Sequence, residues 1–249
     1  MVNKFVVFSQ TRSGSTLLQG LLDSHSKIHC EGEILTLTDE YISNGTRFKY
    51  LNNDALYQLC KLFPIPYVYI RRLGALKPVY GCFLFIFHTP FICHTIQTLY
   101  KLNWKIIYLE REDIINQSLS NIIALQTGYF INRSGINETD NNFVIDVDRF
   151  LKTVKNRLRW HNNEKKCLEG IKFTRISYED DLMDLVNRQK TMNLIFDLLS
   201  LEHEPAETKT IKTYSKPYSE IVKNYDELMS SLEKNGFHEL LKVHRKYNY

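Results

Sequence analysis

Short apolar runs alternate with amphipathic segments along the chain. Lys4 to Phe8 is a compact β-branched and aromatic run followed at once by polar residues and glycine, which predicts a short buried strand. The leucines from Leu17 to Leu22 then recur at helical spacing. The first unit is therefore predicted to be a strand, a polar loop and a helix that ends near Ser24 to Lys27.

Further apolar runs predict three more strands. Val79 to Phe87 and Lys105 to Leu109 are apolar enough to be covered on both faces, as strands inside a parallel sheet are. After the second of them, Asp113 can cap a helix whose apolar residues form one stripe. Ile171 to Ile176 supplies the fourth strand.

Helical spacing of apolar residues recurs in the second half of the chain. It covers Val147 to His161, Arg188 to Ser200 and Tyr218 to Leu232. Gly128 to Asn142 is rich in Asn, Ser and Gly and predicts a surface loop, whereas Glu40 to Leu76 has no clean period and is assigned only to helices and loops. Strands that alternate with helices predict an α/β fold with ligands bound beyond the carboxyl ends of the strands.

Length and charge narrow the picture further. A chain of 249 residues with 43% hydrophobic content can bury one full core, so we expect residues 1–249 to form a single domain. The formal net charge of +4 is too small to indicate nucleic acid or an anionic membrane as a partner. A basic cleft for one anionic ligand would suffice.

The cysteines and the N-terminal residues bear on the cellular compartment. The five cysteines are odd in number, widely spaced and never arranged as CxxC, so we expect reduced thiols and no zinc site. The chain runs from Met1 into a strand without the zones of a signal peptide, and its longest apolar run, Cys82 to Ile96, is too short to span a bilayer. A cytoplasmic protein without a transmembrane segment is expected.

The loop between the first strand and its helix carries the clearest chemical signal. Gly14 allows a tight turn, while Ser13, Ser15 and Thr16 offer hydroxyl and amide donors at a helix N-terminus, which attracts anions. Arg12 adds a fixed charge and a bidentate fork. The loop is not GxxxxGK[ST], and no apolar strand ends in an Asp suited to magnesium, so a metal-dependent kinase is disfavoured.

These residues resemble a known family, the sulfotransferases that use 3′-phosphoadenosine 5′-phosphosulfate (PAPS), including bacterial and Golgi carbohydrate enzymes and tyrosylprotein sulfotransferases. The resemblance rests on Thr-Arg-Ser-Gly-Ser-Thr-Leu-Leu, Leu-Asp-Ser-His and Ile-His-Cys-Glu-Gly-Glu-Ile-Leu. It implies a P-loop-like three-layer fold, with a central parallel sheet flanked by helices, and a first loop that wraps the 5′-phosphosulfate. Many relatives carry Lys where this chain has Arg12, so charge is kept but proton donation by Lys is not.

Later segments resemble other elements of the same family. Arg111 at a strand end and a serine in the next helix match the residues that bind the 3′-phosphate; the pattern Ser-Asn-Ile-Ile-Ala selects Ser120, with Ser118 as the alternative. Tyr178 resembles a tyrosine that contacts the donor nucleotide. Lys212 resembles a late lysine that closes over it.

The resemblance also implies a mechanism. Sulfuryl transfer needs an acceptor oxygen in line with the sulfur, a base for its proton and positive charge on the leaving phosphate. Glu33 matches the position of the base proposed in tyrosylprotein and trehalose sulfotransferases, and Glu31 could replace it. His88 is the rival, because cytosolic members use a histidine at a comparable strand end. No metal is expected to take part.

The family leaves the acceptor open. A hydroxyl compound is implied, a carbohydrate or a related small molecule first, and the donor product is adenosine 3′,5′-bisphosphate. Two other functions fit the same residues: a nucleotide-binding module without catalysis, and a small-molecule kinase with a P-loop.

Overall fold

The computed structural model describes residues 3–35, 62–128, 130, 142–210 and 216–248, and within them the strands form one five-stranded parallel sheet of order β2-β3-β1-β4-β5. The strands are β1 (Lys4–Ser9), β2 (Ile28–Glu33), β3 (Val79–Phe85), β4 (Lys105–Glu110) and β5 (Phe173–Ser177). The helices are α1 (Ser15–Asp23), α2 (Pro64–Leu73), α3 (Ile92–Lys101), α4 (Ile114–Thr127), α5 (Val147–Cys167), α6 (Leu185–Leu198), α7 (Tyr218–Ile221), α8 (Tyr225–Lys234) and α9 (His238–Tyr247), with a π-helical turn at Tyr178–Leu182.

Alternate residues of β1 build the two cores of the molecule. Phe5 and Val7 pack with the buried leucines of α1 and the buried side chains of α6. Val6 and Phe8 face the other way and pack with residues of α2 and α3. Because successive side chains of a strand point to opposite faces, this central strand lies between two helical layers. The predicted three-layer α/β fold with a central parallel sheet is confirmed.

The chain crosses the sheet at β1. From β1 it runs to β2 at one edge and returns to β3 beside β1, and it then crosses to β4 and outward to β5 on the other side. The loops after β1 and β4 therefore lie side by side at the carboxyl edge, where the direction of winding reverses. Open α/β sheets bind ligands at such a switch point.

A third apolar cluster fixes the C-terminal helices. Buried side chains of α8 and α9 pack against α4 and the first half of α5, away from the sheet. The predicted helix over Tyr218 to Leu232 is interrupted at Val222, where the backbone forms a bridge with Phe143. The amide of Phe143 donates to Ile221 O and its carbonyl accepts from Lys223, which replaces the helical pattern at this point.

Two further features differ from the sequence-based expectations. The strand β2 was not predicted, and Cys93 is bonded to Cys167 in a disulfide with a Cα–Cα distance of 4.4 Å. The expectation of reduced thiols is therefore wrong for this pair, because folding brings α3 beside the last residue of α5 across a sequence separation of 74. Cys30 and Cys82 are buried free thiols.

Two predictions fall outside the described residues in whole or in part, namely most of the loop from Gly128 to Asn142 and the first part of the region from Glu40 to Leu76. Within the described ranges, none of the helices combines the length and the apolarity that a bilayer crossing requires.

Candidate active site

The loop after β1 turns sharply into α1. Arg12 and Gly14 both adopt left-handed backbone conformations, with φ of 63° and 89°. Gly14 is the N-cap residue of α1 and provides no capping side chain. The first amides of the helix are therefore open to an external acceptor, and the helix dipole favours an anion there.

The carbonyl groups of this loop are held by donors from the loop itself and from other elements. Ser13 satisfies the first carbonyl, and two arginines and a glutamine satisfy the next two, so each carbonyl from Gln10 to Arg12 has a donor within the protein. The contacts are Ser13 Oγ to Gln10 O (2.7 Å), Gln117 Nε2 and Arg157 Nη1 to Thr11 O (2.9 Å each) and Arg111 Nη1 to Arg12 O (2.8 Å).

The amides of the same loop behave differently. In the described part of the chain, the backbone N–H groups of Arg12, Ser13 and Gly14 meet no hydrogen-bond acceptor. A segment with its carbonyls anchored and its amides open is a concave donor surface of the kind that binds phosphate. Ser15 and Thr16 continue that surface into the first turn of α1.

Arg157 lies behind the loop and is 1% exposed. Besides Thr11 O, its guanidinium contacts Gln10 Oε1 at 3.3 Å and Thr11 Oγ1 at 3.0 Å. Burial and the positive charges of Arg111 and Arg12 lower the pKa of Arg157 to about 10. Such an arginine raises the positive potential at the loop without reaching the surface.

Glu164 is the carboxylate nearest to this arginine along α5, and it is a weak counter-charge. Its Oε2 accepts from Gln10 Nε2 at 3.0 Å and from Tyr108 OH at 3.1 Å. Burial raises the pKa of Glu164 to about 7. Near neutral pH the group is therefore partly uncharged, and the positive charge beside the loop is left in excess.

Arg111 and Tyr178, two residues that the resemblance assigns to the donor site, lie together at the loop. The guanidinium of Arg111 lies 4.8 Å from the centre of the Tyr178 ring and 3.4 Å from a carboxylate oxygen of Glu179, an ion pair without a hydrogen bond. The Tyr178 ring covers Gly14 so closely that an added Cβ would lie 2.3 Å from its Cδ2. Only glycine fits there.

The two candidate serines of α4 have different surroundings. Ser120 Oγ accepts from Arg12 Nε at 2.9 Å, so the predicted 3′-phosphate residue contacts the predicted 5′-phosphate loop directly. The same arginine donates to Phe130 O. The hydroxyl of Ser118 is fully buried, and no described residue hydrogen-bonds to it.

Two glutamates flank Arg111 in sequence, but their charges are neutralised elsewhere. Arg175 pairs with both Glu110 and Glu112, and His161 Nε2 lies 3.2 Å from Glu110 Oε1. Neither of these glutamates therefore neutralises Arg111, which pairs with Glu179 instead.

The three candidate bases are placed differently. Glu33 is half-buried at the carboxyl end of β2 and close enough to Arg12 to stabilise its charge. Glu31 is held by an ion pair with Arg71 and by Tyr80 OH at 2.6 Å. His88 is buried and its Nδ1 accepts from the amide of Phe85 at 3.0 Å, so its neutral ring carries the proton on Nε2.

Several residues of the site were not predicted, among them Gln117, Arg157, Glu164, Glu179 and Tyr218, which lies near both Arg12 and Arg111. A signal for two of them exists in the sequence. Arg157 and Glu164 continue the spacing of the buried residues Phe150 and Val154, so charged groups stand on the buried stripe of α5. Lys212 lies outside the described residues.

Comparison with known proteins gives structural matches alone. No family model and no curated protein matches the sequence. A sulfotransferase from Alicyclobacillus acidocaldarius superposes with a TM-score of 0.51 at 12% identity, covering 99% of this chain and 95% of that one. The sulfotransferase domain of a Synechococcus olefin synthase gives 0.45 at 12% identity, covering 99% and 95%. A mouse sulfotransferase complexed with PAP gives 0.46 at 12% identity, covering 100% and 90%.

At 12% identity the first of these matches shows a shared fold. The fold that the sequence resemblance implied is therefore confirmed, and it is a fold shared with that sulfotransferase.

Proposed function

We propose that residues 1–249 form one sulfotransferase domain, which transfers a sulfuryl group from PAPS to a hydroxyl acceptor. One observation carries the proposal: the arginines Arg12, Arg111 and Arg157 converge on a loop whose amides are open to an anion. Arg111 disfavours the charge of Arg12, and both of them disfavour the charge of Arg157. Like charges gathered in this way are stabilised by a bound anion.

The donor set fits a ligand with anionic groups at two ends. The loop from Arg12 to Gly14 and the first turn of α1 suit the 5′ end. Arg111, with Ser120 or Ser118, suits the 3′-phosphate, and Tyr178 lies between the two groups. The contact from Arg12 to Ser120 brings the two ends of the site within reach of one small nucleotide.

The chain's own groups then have separable roles. PAPS supplies the sulfuryl group and leaves as adenosine 3′,5′-bisphosphate. Arg12 and the amides at the start of α1 stabilise the charge that the leaving phosphate gains as its bond to sulfur breaks. Arg111, with Ser120 or Ser118, holds the 3′-phosphate. This contact fixes the nucleotide so that its sulfur points toward the acceptor.

Glu33 is the proposed base. As the acceptor oxygen forms its bond to sulfur, the hydroxyl proton passes to the Glu33 carboxylate. Its position beside Arg12 at the carboxyl edge supports this role. Glu31 is less suited because Arg71 and Tyr80 already occupy its oxygens. His88 is less suited because the lone pair on its Nδ1 accepts a backbone amide.

The two other functions make different demands on the same loop. A P-loop kinase needs a lysine before the Ser/Thr and a magnesium ligand, and the loop sequence offers Ser13 and Ser15 around Gly14 instead. A binding module would keep the arginines without needing Glu33. A carbohydrate or a related small molecule remains the proposed acceptor, and a cytoplasmic location remains an expectation.

Titration calorimetry with adenosine 3′,5′-bisphosphate, and separately with ATP and magnesium, tests the proposal. The bisphosphate should bind more tightly, and label should pass from ³⁵S-labelled PAPS to a hydroxyl in an acceptor screen. No heat and no thermal protection from the bisphosphate would refute it. Tight binding without turnover across the screen would favour the non-catalytic module.

Arg12→Ala provides the quantitative test. Loss of one oriented donor to the leaving phosphate should cost about 2 to 4 kcal/mol of transition-state stabilisation, or roughly 30- to 900-fold in kcat/KM. Arg159→Ala is the matched control, because Arg159 is exposed on α5. A decrease in kcat/KM of less than about tenfold would mean that Arg12 contributes little to transition-state stabilisation.

A further inference from the structure

The segment from Arg111 to Asp113, which joins β4 to α4, is held from two sides. On the first side, Glu179 accepts the amide of Glu112 at 3.0 Å and the amide of Asp113 at 3.3 Å. The same carboxylate pairs with Arg111. One glutamate therefore ties the backbone of the segment to the side chain that we place at the 3′-phosphate.

The second side is the C-terminal helix. His244 Nδ1 lies 2.9 Å from both carboxylate oxygens of Asp113, and Asn248 Nδ2 donates to Asp113 Oδ2 at 2.9 Å. Tyr247 OH donates to Glu112 Oε2 at 2.8 Å. Residues separated by more than a hundred positions in sequence thus meet at the start of α4.

The chemistry of this contact fixes the donors. A carboxylate accepts only, so the proton shared by Asp113 and His244 belongs to Nδ1, while Nε2 faces Tyr225 OH. Asp113 is 1% exposed and His244 is 5% exposed. Burial alone would raise the pKa of Asp113, but the hydrogen bond and the charge of His244 hold it below its usual value.

Asp113 serves a second partner with the same carboxylate. Its Oδ1 accepts the amide of Asn116 at 2.9 Å and so caps the N-terminus of α4. Any movement of this carboxylate is therefore transmitted to α4, which carries the candidate serines, and to Arg111 two residues before it. Without its imidazole partner, the buried carboxylate would keep the donors of Asn248 and Asn116, but the cost of burying its charge would favour a turn toward water.

We propose that His244 is a positioning residue, which acts through Asp113 to set Arg111 and the start of α4 against the first loop and thereby determines the preference for a 3′-phosphate. The inference rests on the proposed donor site. It assigns a role in that site to the C-terminal helix, no residue of which need touch the nucleotide.

Three substitutions of His244 separate positioning from general stability. Asn places an amide nitrogen near Nδ1 and can keep the bond to Asp113, whereas Gln reaches toward Nε2 and Ala keeps neither. We expect His244→Ala and His244→Gln to weaken binding of adenosine 3′,5′-bisphosphate by about tenfold or more, and His244→Asn by under about threefold. Binding of adenosine 5′-phosphate should change by under about twofold in all three.

A double-mutant cycle shows whether the effect passes through Arg111. In an Arg111→Ala background, His244→Ala should alter the bisphosphate affinity by under about twofold, because the residue that it positions is gone. Lys242→Ala is the control on the same helix, with a side chain that is 68% exposed. Equal loss of both nucleotides, an Asn variant no better than Ala, or an undiminished effect without Arg111 would overturn the inference.

Hydrogen exchange in the free protein keeps this inference separable from the proposed function. Amides from Glu112 to Gln117 should exchange faster in His244→Ala than in wild type, while those of β1 and β3 should be unchanged. If wild type binds no bisphosphate, the proposed donor site fails, and the exchange result alone decides whether His244 positions this segment. Unchanged exchange at Glu112 to Gln117 would show that it does not.

Discussion

The protonation state of Glu164, behind the first loop, affects the free energy of unfolding. The substitution Glu164→Gln allows this effect to be measured. Burial raises the pKa of this carboxyl from 4.5 to about 7. Between those pH values the folded chain holds a proton that the unfolded chain has released, so stability falls as pH rises. The stabilisation is complete below the unfolded value and is lost as pH passes through about 7.

The size of the effect follows from the shift. A difference of about 2.5 pKa units corresponds to about 3 kcal/mol at 1.36 kcal/mol per unit. Glutamine does not titrate and can still accept from Gln10 and Tyr108. Relative to wild type, the variant should therefore gain about 3 kcal/mol of unfolding free energy between pH 4.5 and pH 8.5, or about 6 to 12 °C in Tm for a chain of this size.

Circular dichroism can follow thermal and urea unfolding of both proteins at a series of pH values. Glu169→Gln is the control, because Glu169 is an exposed glutamate just beyond the end of the same helix. The gap in unfolding free energy between Glu164→Gln and wild type should widen through pH 7, whereas the gap for the control should stay constant. A gap for Glu164→Gln that changes by less than about 1 kcal/mol would refute the burial argument.

Two more substitutions test the site. Gly14→Ala would place Cβ 2.3 Å from the Tyr178 ring at a φ of 89°, so calorimetry should show bisphosphate affinity reduced by about tenfold or more. Gly170→Ala is its control, with a φ of 72° and no atom within 4 Å of the added Cβ, and equal losses in both would mean that the ring contact is irrelevant. Glu33→Gln should lower kcat by about a hundredfold or more without weakening bisphosphate binding, because it removes a negative charge beside Arg12, whereas Glu31→Gln should lower the melting temperature. Unchanged kcat in Glu33→Gln would remove Glu33 as the base.

The central strands could be predicted from the sequence because their side chains pack into the apolar cores on both faces of the sheet. Every residue of β3 is buried, and so are the residues of β1 from Phe5 to Ser9, so unbroken apolar runs mark both strands. β2 lies at the sheet edge with the sequence Ile-His-Cys-Glu-Gly-Glu, and its pairing with β3 shifts register between Cys30 and Glu33. A short polar edge strand has no such apolar run, so it can be recognised only from its pairing with β3 in the structure.

Some features of the candidate site can likewise be predicted from the sequence, and others cannot. The loop from Gln10 to Thr16 and the cap at Asp113 are local features, which adjacent residues specify by themselves. The support of the loop by Arg157, and of the start of α4 by His244, depends on contacts between residues more than a hundred positions apart. A buried charge on a helix indicates that some partner exists, but the tertiary fold alone supplies its identity.

The partners of the arginines indicate which of them faces the ligand. Arg71 pairs with Glu31, Arg175 with two glutamates and Arg111 with Glu179. Of the three arginines at the first loop, Arg12 and Arg157 have no carboxylate in an ion pair among the described residues, and Arg157 is too buried to reach a ligand. The charge left for an anion is therefore that of Arg12. Arg157 strengthens the field from behind, while Arg111, tethered by Glu179, can keep its orientation before the nucleotide arrives.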